Sequence, residues 1–210
     1  MHLTTPNAFD VCDAALDIIR SLVPVYDEDI VAYAALLHDT RDRKYPNSIT
    51  LEQLSDFVIS QLGSVKASCV LWIIDNLSWS GESTGKYPRS SEIWDRDDQR
   101  STGLPKAKTR AEDGDCYIKE IYLVVIRDAD RIQALGEKGL ERCLQLAKAR
   151  GMTDRDGKIN AWDHCREKLL RLMPERFIVT PRGRELAQPG HDWISRWYSY
   201  GNGLWVGGGR

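Results

Sequence analysis

No Cys-x-x-Cys pair occurs in this chain, and its five cysteines, Cys12, Cys69, Cys116, Cys143 and Cys165, are odd in number and widely spaced. Such spacing offers neither a disulfide framework nor a thiolate zinc site. Reduced thiols, mostly small buried hydrophobes in a cytoplasmic compartment, are expected. No apolar run approaches about 18 residues, so no membrane span is expected. The first residues, with His2 followed by polar groups and a proline, carry no apolar signal core. An excess of positive charge is also missing. Lys and Arg number 29 against 31 Asp and Glu, a net charge of -2, so nucleic acid or an anionic membrane is not an expected partner. Period-two alternation and internal repeats are nearly absent, and both absences argue against a sheet protein or a repeat array.

Helical periodicity is abundant. Val11, Ala14, Ala15, Ile18, Ile19 and Leu22 recur at helical spacing, which predicts a helix over 8–22. A second helix, over 28–38, is apolar nearly all round in its last turn and should be buried. Thr50 with Gln53 reads as a capping box opening a helix to Leu62, and another follows from about Val65 to Leu77. Helical patterning resumes from Tyr117 to about Arg150, then over 161–172 and 183–198, where Pro189-Gly190 should break or kink the last helix. The class is all-α. The 210 residues read as one domain over 1–200 with a Gly-rich tail, 201–210. That tail has no preceding strand or following helix, so it is not a phosphate loop. Between 80 and 115 only Ile93, Trp94 and Leu104 are large aliphatic or indole side chains. This stretch reads as a long polar insertion, a lid or a solvated loop.

Two segments carry chemistry. His38-Asp39 closes the buried second helix, with imidazole and carboxylate about 100° apart around the axis, so an ion lying between them could take a ligand from each. Neither group is cheap to bury unless paired or metal-bound. Asp128 and Asp130 sit in the apolar stretch 121–140. They are about 200° apart around the helix, so both cannot face one ion. Ion pairing with Arg127 and Arg131 is the plainer reading, and metal ligation the alternative.

Leu36-Leu37-His38-Asp39, Asp42-Arg43-Lys44, Asp128-Ala129-Asp130-Arg131-Ile132, Gly136 and Gly139 together resemble the HD-domain phosphohydrolase superfamily, in its small YedJ/YpgQ-like branch. The stretches Asn76–Ser80, His164–Leu170, Thr180–Ala187 and His191–Trp193 are similar to that branch too. The resemblance implies an HD-type helical bundle, with the 80–115 segment as insertion, and a divalent metal such as manganese, magnesium or iron. Carried over, the ligands are His38, Asp39 and Asp130, with Asp128 behind them or in a salt bridge. It further implies that Asp42 orients or deprotonates the attacking water, and that Lys44 with Arg43 or Arg41 faces the substrate phosphates. The activity it implies is hydrolysis of a phosphate ester or anhydride, with a nucleotide as the small-molecule partner, deoxynucleoside triphosphates among the candidates.

The chain departs from the family at the first ligand. Counting back from Val11 and Ala15, the family's first His falls on Asn7, whose neutral carbonyl oxygen is a poor replacement for an imidazole nitrogen. That ligand is missing, supplied by Asn7, or supplied by His2. A catalytically degenerate nucleotide-binding or regulatory HD protein is therefore the alternative to an enzyme. Against it stand His38, Asp39, Asp42 and Asp130, polar groups kept in or beside apolar helices at a stability cost. His164 reads as a packed core histidine and His191 as surface or cap. Trp193 and Trp197 read as core anchors, and Trp79 or Trp94 as an indole that could stack on a base.

Overall fold

A computed structural model describes residues 7–22, 26–41, 49–95, 111–149, 151 and 158–205. They form α1 (Ala8–Arg20), α2 (Glu28–Leu37), α3 (Leu51–Asn76), α4 (Trp79–Ser83), α5 (Ser90–Asp95), α6 (Ala111–Ala134), α7 (Gly136–Ala149), α8 (Lys158–Glu167), a 3-10 turn (Leu169–Arg171) and α9 (Pro181–Trp205). No strand occurs among the described residues, in agreement with the all-α expectation.

The apolar stripe of α1, with Val11, Ala15, Ile18 and Ile19, is buried as its spacing requires. Asp27 caps α2 by accepting the Asp29 N–H. The Thr50–Gln53 capping box opens α3 with both reciprocal hydrogen bonds in place. The two helices expected over 50–77 run on as one element, divided by Gly63 at φ +76°, a conformation that a side chain would strain. By length and composition α3 could cross a membrane. Its Leu54, Val58, Val70 and Ile73 instead pack in the protein core.

The organising element is α6. Ile121 to Ile126 are all buried, so this helix is apolar all round and touches α1, α2, α3, α5, α7 and α9. Its residues Ile121 to Ile126 and Ala129 belong to one core cluster with α1–α3 and α5. Its end joins a second cluster with α7, α8 and α9, and Ile132 packs against both. Gly136, at φ +74°, turns the chain between α6 and α7. The backbone of α9 crosses there so closely that a Cβ on Gly190 would lie 2.9 Å from Leu135 Cβ. The helix runs through Pro189 rather than stopping, so the expected break is absent: packing against the α6–α7 corner holds the chain helical where the proline removes one N–H.

The insertion differs most from expectation. Residues 80–95 are not a solvated lid. They form α4 and α5, with Glu82, Ser90, Ile93 and Trp94 all buried against the core. The polar character of this stretch misleads because Glu82 is buried with its charge paired. Glu82 takes up both Arg127 and Arg131. The remainder of the expected insertion up to 110 lies outside the described residues, and 111–115 already belongs to α6. Trp94 is a core residue and so cannot stack on a base.

Candidate functional site

His38 is the C-cap of α2, and its side chain is 3% exposed. Its Nδ1 lies 2.7 Å from the Ala35 carbonyl oxygen. A carbonyl only accepts, so Nδ1 carries the hydrogen and the neutral ring has its lone pair on Nε2. That Nε2 is 3.2 Å from Asp39 Oδ2 and 3.7 Å from Asp130 Oδ1, yet it makes no hydrogen bond. Two carboxylates thus converge on a buried ring nitrogen. Burial tends to depress the imidazole pKa, but Asp39 and Asp130 outweigh burial and push it up to about 9.

One nitrogen and two carboxylates, with the far ring nitrogen fixed on a backbone carbonyl, fit manganese, magnesium or iron rather than a thiolate-loving metal. Among the described residues no three or more His, Cys, Asp or Glu side chains are drawn together closely enough to hold an ion, so His38, Asp39 and Asp130 are related by their donor chemistry and not by a formed cage. The first turn of α1 lies toward that end of α6, where Gln133 Nε2 donates to the Asp10 carbonyl. Asn7 is the N-cap of α1 and makes no side-chain capping bond. His2, Asp42, Arg43 and Lys44 lie outside the described residues.

Asp128 is not part of this constellation and does not pair with Arg127 or Arg131 as their adjacency suggests. It is fully buried on the opposite side of α6. Its carboxylate accepts from the N–H groups of Val179 and Thr180 and from the Thr180 hydroxyl at 2.8–3.2 Å. Thr180 Oγ1 in turn accepts the Gly183 N–H in the first turn of α9. Burial nevertheless pushes the Asp128 carboxyl up to about 6. Its role is to tie α9 to α6.

The His38 centre opens into a cleft of 620 Å³. His38, Asp39, Arg41 and Asp130 line it from the α2 and α6 side; Ser78, Trp79 and Ser80 come from the start of α4, and His164, Glu167 and Lys168 from the end of α8. Arg41 is ion-paired with Asp75, which also lines the cleft. His164 therefore does not belong to the closed core that its apolar neighbours suggested. Sequence reasoning passed over Asp75, Glu167 and Lys168. The His164-x-x-Glu167-Lys168 spacing, which puts three polar side chains on one helix face, was the available signal for the latter two.

No family model matches the sequence. Among curated proteins it is similar to YpgQ of Bacillus subtilis, itself uncharacterized, at 29% identity over 169 residues, 79% of this chain and 67% of that protein. The crystal structure of B. subtilis YpgQ superposes with a TM-score of 0.63 at 25% identity, covering 92% of this chain and 84% of that one. That protein has also been crystallised in complex with ADP, and this structure matches with a TM-score of 0.62 at 24% identity over 92% and 85% of the two chains. An HD-superfamily hydrolase from Bacillus thuringiensis shares the fold, with a TM-score of 0.58 at 21% identity over 96% and 85%. Fold and sequence together bear out the likeness to YpgQ and its branch first read from His38-Asp39 and Asp128–Ile132, and the fold is shared with an HD-superfamily hydrolase.

Proposed function

We propose that this chain is a divalent-metal-dependent phosphohydrolase acting on a nucleotide. The observation that carries the reading is the His38 Nε2, buried without a hydrogen bond and faced by Asp39 and Asp130 at the mouth of a cleft. The HD-superfamily hydrolase neighbour and the ADP complex of YpgQ support it. A bound divalent ion would polarise a phosphoryl oxygen and lower the pKa of a water. The protein's own part is orientation. The Ala35 carbonyl holds the imidazole tautomer that leaves Nε2 as donor atom, and Asp39 and Asp130 approach from two different helix ends. Asp42 is proposed as the group that orients or deprotonates the water, with Lys44 and Arg43 offsetting phosphate charge. Arg41, bound to Asp75, would reach phosphate only by exchanging that partner.

A panel of nucleoside mono-, di- and triphosphates incubated with manganese, with phosphate and pyrophosphate release measured, tests the reading. Turnover of at least one nucleotide is expected, and His38→Ala and Asp130→Ala should each abolish it and lose bound manganese while retaining helical content. Wild-type protein that binds no manganese at millimolar concentration refutes it. Binding of nucleotide without turnover favours the second reading, a catalytically degenerate nucleotide-binding protein. The observation on its side is Asn7, standing at the N-cap of α1 where the family carries a His.

A further inference from the structure

Three buried side-chain polar atoms have no hydrogen-bond partner among the described residues: His38 Nε2, Trp79 Nε1 and Arg127 Nε. Arg127 spends its two terminal nitrogens on the Pro88 and Asn76 carbonyls and does not line the cleft. The other two line the same cleft and are opposite in kind. His38 Nε2 accepts, whereas an indole N–H can only donate. A buried donor left without an acceptor costs free energy, and a fold that keeps one beside a cleft has a use for it there.

Trp79 opens α4, directly after the N-cap Ser78. Its π surface already has protein partners. The Lys168 ammonium lies 5.6 Å and the Arg171 guanidinium 5.9 Å from the ring centroid, and the Phe177 ring packs against it at 6.0 Å. The face is engaged, and the ring's unmatched atom is the polar one on its edge. Base stacking is thus not the contact this indole has left to make. Hydroxyls flank it in sequence. Ser78 and Ser80 also line the cleft, with their Oγ atoms 2.9 Å apart, and Ser78 Oγ accepts the Gly81 N–H. Whichever hydroxyl donates within that pair, the other keeps its hydrogen to give.

We propose that the Trp79 indole N–H, with the spare hydroxyl of the Ser78–Ser80 pair, binds phosphate oxygens of the nucleotide. The proposal rests on the nucleotide reading above and deepens it. Ionised phosphate oxygens accept hydrogen bonds and do not donate them, so they match a wall with donors to spare. Ribose hydroxyls and base edges bring donors of their own, which would need acceptors at that place. The cost of the unmet N–H is recovered when the phosphate arrives, so the bond favours the loaded state.

Proton–nitrogen correlation spectra of the indole N–H groups, with magnesium as the ion, follow Trp79 directly. Its signal is assigned by its absence in Trp79→Phe, or in wild type by through-space contacts with Phe177. ADP and inorganic pyrophosphate should each move that signal downfield, and adenosine should not. Calorimetric titration reads the affinity. Trp79→Phe, which keeps an aromatic ring beside Phe177, should weaken ADP about tenfold, the scale of one hydrogen bond to a charged group. Ser80→Ala should weaken it less. Manganese affinity without nucleotide should be the same in wild type and Trp79→Phe, which separates a lost phosphate contact from a disturbed His38 centre. ADP that binds with the Trp79 signal unmoved and its affinity unchanged in Trp79→Phe overturns the inference and leaves the nucleotide reading standing. A signal that answers adenosine but not pyrophosphate also overturns it, because the donor then reads the nucleoside. A signal moved by pyrophosphate in a protein that takes no ADP keeps the phosphate contact and sinks the nucleotide reading. Protein that binds neither overturns both.

Discussion

Replacing Glu82 removes the carboxylate on which two buried guanidinium groups depend. Its side chain is wholly buried, with one oxygen paired to Arg131 and 3.5 Å from Arg127 and the other accepting the Ser90 N–H at 2.6 Å. Both arginines keep other partners when it goes. Arg127 donates to the Pro88 and Asn76 carbonyls, and Arg131 to the Phe177 carbonyl and the Ser90 hydroxyl. Carbonyl oxygens satisfy hydrogen bonds but do not neutralise charge. Burial already pushes the Arg127 pKa down to about 10, against the pull of Glu82. Breaking a buried pair by deleting one partner costs about 3–5 kcal/mol. Glu82→Gln retains an acceptor for Ser90 and should fall near the lower figure. Glu82→Ala also strands the Ser90 N–H, whose desolvation costs about 1–3 kcal/mol, and should reach the upper figure or pass it.

A total stability of about 5–15 kcal/mol makes this a large fraction of what the fold has. For a chain of this size each kcal/mol moves Tm by about 2–4 °C, so a fall of roughly 6–20 °C is expected. Thermal melts followed at 222 nm, with urea titration as a second measure, read it directly. The double variant Glu82→Met, Arg131→Met should recover part of the loss, because it removes charge on both sides. If Glu82→Ala melts within about a degree of wild type while nucleotide KM changes, residues 79–95 behave as a mobile cover and the packing described for α4 and α5 is wrong.

Asn7→His should tighten manganese binding about tenfold or more, the scale by which changes around a ligand set tune metal sites, as read by manganese titration; no change would mean that Asn7 does not face the ion. Gly183→Ala should destabilise by about 1–3 kcal/mol in urea titration. A Cβ there would lie 2.5 Å from Thr180 Oγ1 and 2.8 Å from Asp128 Oδ2, both buried and hydrogen-bonded; an unchanged midpoint would show that the α9 N-terminus shifts freely.

Local information carried most of the helices. The stripe of α1, the Thr50–Gln53 box and the continuous apolar run of α6 each depend on residues within a turn or two, and each stands where periodicity put it. The region 79–95 was illegible for the opposite reason. A sequence rich in Ser, Gly and charge looks solvated, and nothing local reveals that Glu82 meets Arg127 and Arg131 some 45–49 residues further on. The cleft shows the same division. His38-Asp39 is a dipeptide signal, but Lys168 lines the cleft beside Trp79 only because the end of α8 is brought to the start of α4.

The two aspartates of α6 show how a helical angle becomes a division of labour. Two positions apart, Asp128 and Asp130 point about 200° apart, so a helix that brings one to a neighbouring element must turn the other away. Asp130 turns toward the end of α2, within 3.7 Å of His38 Nε2. Asp128 turns inward and takes the backbone of Val179 and Thr180, fixing the start of α9. The carboxylate outside the site thus constrains the rotation of the helix that carries the one inside it. Arg127 and Arg131 add to that constraint, because each donates to a backbone carbonyl of a different segment, Asn76 and Pro88 for one and Phe177 for the other. Rolling α6 enough to swing Asp130 away from His38 would break buried hydrogen bonds on both flanks, each costing about 1–3 kcal/mol if left unmet. The direction of Asp130 is thereby set by groups that never touch the cleft.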